Sequence, residues 1–222
     1  MMYSKRLQTL LSYVHDSQHL MDVGTDHGYL AMAALTNGKT QKVLATDNKP
    51  GPLAQAKANV AQAGLNHAIK LVLGDGLAPL EPTVDTVVIA GMGGSTIAAM
   101  FENVDIRSVR RFILQPTNQA PHVRQLTQKY SLRIEDEQFI DDQGQRYTTI
   151  TLVPGQQTLS DKEQLYGPIL LHKKTALYHQ ALLEEAAYLK QTIAQIPNPN
   201  DTHPLVYKQR ILEAILDEWE ST

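Results

Sequence analysis

A chain of 222 residues, 42% of them hydrophobic, can bury one core of ordinary domain size and carry an appendage besides. It has no cysteine, which excludes a disulfide framework and a thiolate metal site. Its formal charge of -3 excludes a protein that coats itself with nucleic acid by bulk electrostatics, since neutralising phosphate takes clustered Lys and Arg.

The stretch from Met1 to Leu11 carries Lys5 and Arg6 with no long apolar run behind them, and no run of about 18 uncharged apolar residues occurs anywhere. Neither secretion nor membrane spanning is expected, and the cytoplasm is the expected compartment. From Leu20 to Val153 short apolar β-branched runs alternate with longer helical segments, the pattern of a mostly parallel sheet flanked by helices. Strands are predicted over Leu20 to Val23, Val43 to Thr46, Ile69 to Leu73, Thr86 to Ala90 and Phe112 to Leu114, each short and apolar as buried parallel strands are. Helices are predicted over Pro52 to Ala63, Gly94 to Asn103 and Pro121 to Tyr130.

The rhythm then breaks. Leu132 to Phe139 and Tyr147 to Val153 read as two antiparallel strands, because the Asp141 to Gly144 turn between them is too short for a crossover helix. That makes seven strands in an α/β, Rossmann-like domain over residues 1–155. Residues 156–222 read as a helical appendage in which a helix from Asp161 to Ile196, kinked or restarted at Gly167 and Pro168, packs antiparallel on a second helix in coiled-coil fashion. Its stripe is Leu171, Tyr178, Leu182, Leu189, Ile193 and Ile196; that of the second, after a break from Pro197 to Pro204, is Leu205, Leu212, Leu216 and Trp219.

The chemistry concentrates at the predicted strand ends. Met21 to Leu30 passes from a strand through Gly24 and Gly28 into a helix, which is how an open α/β sheet meets a nucleoside. The spacing is not the dinucleotide G-x-G-x-x-G, and Asp22 and Asp26 would repel a pyrophosphate, yet they suit a sulfonium and an ammonium. S-adenosylmethionine is therefore the expected cofactor. Asp47 and Asn48 end the second strand, where an acid can accept from both ribose hydroxyls; a helix or turn cap ahead of Pro50 and Pro52 is the alternative reading of Asp47. Gly74-Asp75-Gly76 follows the third strand and Ala90-Gly91-Met92-Gly93-Gly94 the fourth, and three such turns in register at one sheet edge argue against coincidence.

These residues resemble one family, the bacterial tRNA adenine-22 N1-methyltransferases. The resemblance rests on Ser4-Lys5-Arg6-Leu7, Asp22 to Leu30, Gly51-Pro52-Leu53, Gly74-Asp75-Gly76-Leu77, Ile89 to Gly94, Leu114-Gln115-Pro116 and Gly167-Pro168, and so spans nearly the whole chain. Thr25, Gly28 and Asp47 stand where the family usually has Ser, Ala and often Glu; Thr117 stands where it usually has Asn, a place Asn118 could take. The resemblance implies methyl transfer to N1 of an adenine in the D-arm region of tRNA. No Pro-Pro-aromatic motif follows strand four, as enzymes acting on exocyclic amines usually have, which agrees with a ring nitrogen as target.

Within that reading, Asp22, Gly24, Thr25, Asp26, His27, Gly28, Asp47, Asn48, Asp75, Gly76, Ala90, Gly91, Met92 and Gly93 are expected to hold the cofactor. Asp26 is the candidate for stabilising charge on the adenine, or else orients the methionine ammonium or caps a helix; His27 can shuttle the N6 proton or pack; Tyr29 can stack on the flipped base or fill the core. Lys5, Arg6, Arg110, Arg111 and Arg124 near the cleft, Lys173 and Lys174 on the tail, and Gln115, Pro116, Thr117 and Asn118 are expected to meet tRNA. No metal is expected, since His15, His19, His27, His67, His122, His172, His179 and His203 are scattered. A monomer is expected, with a dimer through the tail as alternative. Competing readings are a methyltransferase acting on a small molecule or protein, and a noncatalytic S-adenosylmethionine sensor that binds a partner.

Overall fold

The structure, a computed structural model, describes residues 3–198 and 200–221. Pro199 in the expected tail break, and the outer ends of both expected domains, lie outside the described residues. The chain divides into two compact units, Met1–Thr158 and Leu159–Thr222.

The first unit is built on β1 (His19–Val23), β2 (Lys42–Asp47), β3 (Ile69–Leu73), β4 (Thr86–Met92), β5 (Arg111–Pro116), β6 (Leu132–Asp142) and β7 (Gln145–Pro154). They form one sheet in the order β3-β2-β1-β4-β5-β7-β6. β1 to β5 run parallel, β7 is antiparallel to β5, and β6 is antiparallel to β7. Burial on both faces explains the apolar sequence of the middle strands: Leu20, Val87, Val88, Phe112, Ile113 and Leu114 are fully enclosed. The last hairpin is tighter than its sequence suggested. β6 and β7 pair down to Asp142 and Gln145, leaving Gln143 and Gly144, both at positive φ, as a two-residue turn.

Among the described residues six helices accompany the sheet: α1 (Lys5–Tyr13), α2 (Tyr29–Thr36), α3 (Pro50–Gln62), α4 (Gly94–Ala99), α5 (Ala120–Arg124) and α6 (Leu126–Lys129). α1 was not expected. Ser4 caps it by accepting the Leu7 N–H, and Leu10, Leu11 and Val14 bury its inner face. α4 ends four residues before Asn103, where the backbone turns to φ 59°. The single helix expected over Pro121 to Tyr130 is instead α5 and α6.

Between them Arg124 turns inward, donating from Nε to Glu137 Oε1 on β6 at 2.7 Å, with the side chains 3% and 0% exposed. Placing Arg124 on a tRNA-facing patch is thereby corrected, because a carboxylate buried in the sheet holds it as counter-ion.

The second unit comprises α7 (Asp161–Tyr166), α8 (Pro168–Lys173), α9 (Ala176–Ile193) and α10 (Pro204–Glu220). The restart at Gly167 and Pro168 is present, and a second break follows where Lys174 takes φ 46° and Thr175 caps α9 by accepting the Tyr178 N–H. The expected first helix is thus three, and Leu171 sits on α8 rather than on the α9 stripe. α9 and α10 are antiparallel: Glu185 pairs with Lys208, while the Trp219 ring lies 5.0 Å from His179 and 6.2 Å from Tyr178. Tyr178, Leu182 and Leu189 are buried on α9 and Leu212 and Ile215 on α10; Ile215 takes the inward place expected for Leu216.

Breaking the buried pair at one end strands a charge, so Arg124→Met should lower the unfolding free energy by about 3 to 5 kcal/mol in urea titrations, and Arg124→Met with Glu137→Met should recover most of the loss. A single substitution costing under about 1 kcal/mol would show that the pair carries no such role.

Candidate active site

The sheet order reverses between β1 and β4, the switch point where an open α/β sheet leaves a crevice beyond its carboxyl ends. A cavity of about 610 Å³ lies there, lined by the turns after β1, β2, β3 and β4 and by α1.

The turn after β1 is tied to β2 by one acceptor, the Thr46 carbonyl, which receives the N–H groups of both Gly24 and Thr25 at 2.8 Å. Gly24 sits at φ +73°, and a Cβ there would lie 2.3 Å from the Met92 methyl, so both the conformation and the clearance call for glycine. Thr25 donates its hydroxyl to Asp22 Oδ2 at 2.7 Å. Burial pushes the Asp22 carboxyl up to about 6; the Thr25 hydroxyl and the Ala31 N–H oppose the rise, and the charge of Asp47 adds to it.

Asp47 is oriented from two sides. Its Oδ1 accepts the Lys49 N–H at 2.8 Å and its Oδ2 the Asp26 N–H at 3.3 Å, which leaves each oxygen further acceptor capacity, and Asp47 lines the cavity. The bond to Lys49, two residues on, caps the turn ahead of α3, while no side chain caps α3 itself, whose capping position is Lys49. Past β3, Asp75 accepts from Asn48 Nδ2 at 3.3 Å. Asp26 stands at φ 50° with its carboxylate exposed, and His27 Nε2 lies 3.6 Å from it. The His27 and Tyr29 rings are 5.5 Å apart at 33°, and Tyr29 is 57% exposed at the cavity's edge.

S-adenosylmethionine fits this donor set. Four carboxylates, Asp22, Asp26, Asp47 and Asp75, line the cavity against the cations Arg6 and Lys49, and the volume is in the range that small-molecule cofactors occupy. A pyrophosphate would meet repulsion along the same wall. Among the described residues no His, Asp and Glu gather as a metal-holding group, and no helix is long and apolar enough to cross a membrane.

Twelve of the expected cofactor residues line the cavity: Asp22, Gly24, Thr25, Asp26, His27, Asp47, Asn48, Asp75, Gly76, Ala90, Gly91 and Met92. Gly28 does not; it starts α2 at positive φ and faces Ala56 and Val60 of α3. Gly93 precedes α4 with its Cβ position 3.2 Å from Asn118 Oδ1, so Asn118, not Thr117, brings an amide to the β4 loop. Thr117 is exposed and its N–H is used by the Met92 carbonyl. Gln115 and Pro116 are buried in β5.

Among the expected tRNA contacts, Arg6 lines the cavity and Lys5 is exposed beside it on α1. Arg110 and Arg111 do not lie near the cleft: they stand at the start of β5, the amino edge of the parallel strands, where Arg110 meets Asp85 Oδ2 at 3.3 Å and Arg111 meets Glu135 Oε2 at 2.7 Å. Lys173 and Lys174 are exposed in the second unit, and Lys174 is near enough to help hold Glu218 below the usual carboxylate range, an effect led by Lys162. Ser4, Leu7, Leu10, Lys49, Pro52, Thr96 and Met100 also line the cavity and were not expected there. The missed signal was Leu7, Leu10, Leu11 and Val14 at helical spacing behind a capping Ser4.

Strand order and acidic strand ends together define a Rossmann-like, S-adenosylmethionine-dependent methyltransferase. Residues 20–217 match the family model of tRNA (adenine(22)-N(1))-methyltransferase. The chain belongs to that family. The enzyme of that name from Bacillus subtilis is 31% identical over 219 residues, 95% of this chain and 91% of the relative. A Streptococcus pneumoniae protein, a candidate tRNA (m1A22) methyltransferase solved with S-adenosyl-L-methionine, superposes with a TM-score of 0.89 at 32% identity, covering 97% of this chain and 100% of its own. A Mycoplasma capricolum relative solved with S-adenosyl-homocysteine superposes with a TM-score of 0.89 at 25% identity, covering 98% of this chain and 99% of its own.

A carboxyl raised from 3.8 to about 6 on folding contributes its full stability below about pH 4 and loses it as pH rises through 6. The loss approaches about 3 kcal/mol for a shift of this size. The ligand-free Asp22→Asn variant should therefore lose less stability than the parent between pH 5 and pH 7.5 in urea titrations. Equal losses in the two proteins would contradict the assignment.

Proposed function

We propose that the chain transfers the methyl group of S-adenosylmethionine to N1 of adenine 22 in bacterial tRNA, using the Asp22 to Tyr29 turn both to seat the cofactor and to meet the base. The observation that carries this reading is the row of Asp75, Asp47 and Asp22 along neighbouring strand ends of a chain that belongs to this family. When bound, the cofactor supplies a methyl group made electrophilic by its sulfonium. Asp47, held by two main-chain N–H groups, accepts from the ribose hydroxyls; Asp75 with Asn48 meets the adenine of the cofactor; Asp22 and the Gly24 turn face its cationic methionine end.

N1 of the target adenine carries an in-plane lone pair, so attack needs alignment and no prior deprotonation. Positive charge then grows on the base. Asp26, exposed beside His27, offsets that charge, and His27 takes up the proton lost as the product base returns to neutrality. Tyr29 holds the extruded adenine by stacking, for which its exposure and the tilted His27 ring suit it. Lys5, Arg6 and Lys49 around the cavity, with Asn118 at the β4 loop, receive the tRNA near the site, and Lys173 and Lys174 receive it on the tail. The enzyme works as a monomer in the cytoplasm, where its substrate resides.

Incubation with labelled cofactor and unmodified bacterial tRNA should place label at adenine 22, mapped by reverse-transcription stops. Label on small molecules or proteins alone, or tight cofactor binding without transfer, would contradict the proposal. Tyr29→Ala should lower kcat/KM for tRNA roughly tenfold to a hundredfold while Tyr29→Phe stays near the parent, as expected for lost stacking. Asp26→Asn should cut turnover at least about tenfold with cofactor affinity within a few-fold, and unchanged turnover would remove Asp26 from catalysis.

A further inference from the structure

Arg6 lines the cavity, is half-buried, and has no carboxylate on its guanidinium among the described residues. Its position is nonetheless set from four sides. Gln115, 1% exposed on β5, accepts the Arg6 Nε–H on its Oε1 at 2.6 Å and donates from Nε2 to Thr149 Oγ1 at 3.0 Å, so the amide cannot flip without losing both bonds. Asp142 at the end of β6 accepts the Arg6 main-chain N–H at 2.9 Å. The guanidinium carbon lies 5.1 Å from the Tyr147 ring centroid. Arg6 Nη2 lies 3.0 Å from the Cβ position at Gly91, whose φ of +81° and lack of a side chain admit it. The result is a positioned cationic fork whose Nε is occupied and whose Nη groups meet no carboxylate among the described residues, a preformed receptor for an oxyanion.

The strand order says which oxyanion. Along the carboxyl edge the residues follow as Asp75 after β3, Asp47 on β2, Gly24 after β1, Gly91 on β4 and Gln115 on β5. With the adenosine of the cofactor at Asp75 and Asp47, its methionine end falls at Gly24, and the β4 and β5 ends lie on the far side, where the target nucleotide must enter. This step rests on the cofactor placement proposed above. We propose that Arg6 grips a phosphodiester flanking the target adenine, and that Gln115 is its positioning residue. An extruded base swings about its own backbone, so fixing that phosphate fixes where N1 stands.

The test uses the full chain and synthetic tRNA carrying a neutral methylphosphonate at either linkage flanking adenine 22. Wild-type enzyme with native linkages is the control, and failure to methylate adenine 22 there overturns the functional reading itself. Losing a charged hydrogen bond of this kind should lower kcat/KM for tRNA roughly tenfold to a hundredfold. That drop is expected for Arg6→Lys on native tRNA and for wild-type enzyme on one of the two modified tRNAs, with S-adenosylmethionine affinity within about threefold in each case. Combining the variant with that modified tRNA should cost no more than either change alone. Gln115→Glu keeps the acceptor but places a carboxylate on the fork; it should keep the melting temperature and lose tRNA kcat/KM, where a purely structural glutamine would leave kcat/KM unchanged. The proposal is overturned if the wild-type enzyme methylates both modified tRNAs as fast as native tRNA. It is equally overturned if Arg6→Lys weakens cofactor binding tenfold or more while KM for tRNA is unmoved, which would assign the fork to the cofactor's carboxylate.

Discussion

The Thr46 carbonyl, by accepting the N–H groups of Gly24 and Thr25 together, is the contact on which the site depends. It folds the β1 turn back over the end of β2, so that the Asp26 N–H reaches Asp47, while the pairing of β1 on β2 holds Asp22 within reach of the Asp47 charge. That placement costs free energy in the ligand-free protein, since both residues are buried and the charge of Asp47 opposes ionisation of Asp22. A cationic ligand removes that cost and an anionic one increases it. Cofactor choice here is an electrostatic property of two neighbouring strand ends more than of any single contact.

Parallel pairing extends the same logic along the edge. Val23 stands opposite Thr46 and Ile89, and Asp47 opposite Leu73, so the four turns emerge side by side and face one cavity. The antiparallel hairpin of β6 and β7 adds a second function. Through Asp142, Tyr147 and Thr149 it steadies α1 and, with Gln115, the one guanidinium of α1 that enters the site. A chain with little net charge to attract RNA thus spends a fixed cation at the point where alignment matters.

Much of this was readable from the residues because buried parallel strands announce themselves as short apolar runs, and the Gly and Asp residues that end them mark the ligand edge. What was not readable depends on partners distant in sequence. Arg124 reads as a surface cation until Glu137 is known to be buried opposite it on β6. Sign of charge alone suggests the cleft for Arg110 and Arg111, yet Arg111 opens a parallel strand, and the first residue of such a strand lies at the edge away from the crevice. Gly28 carries the look of a ligand glycine but serves the packing of α2 on α3. α1 is masked in the sequence by its charged Lys5 and Arg6, while the spacing of Leu7, Leu10 and Leu11 carries the fold.

The direction in which the cofactor lies along the strand ends underlies both the catalytic roles and the placement of the target nucleotide. A crystal structure of the chain with S-adenosylhomocysteine measures it. Both ribose hydroxyls should lie on the Asp47 carboxylate, the adenine beside Asp75, and the sulfur directed toward Gly91. A sulfur directed toward Asp75, or a ribose held away from Asp47, would contradict that placement.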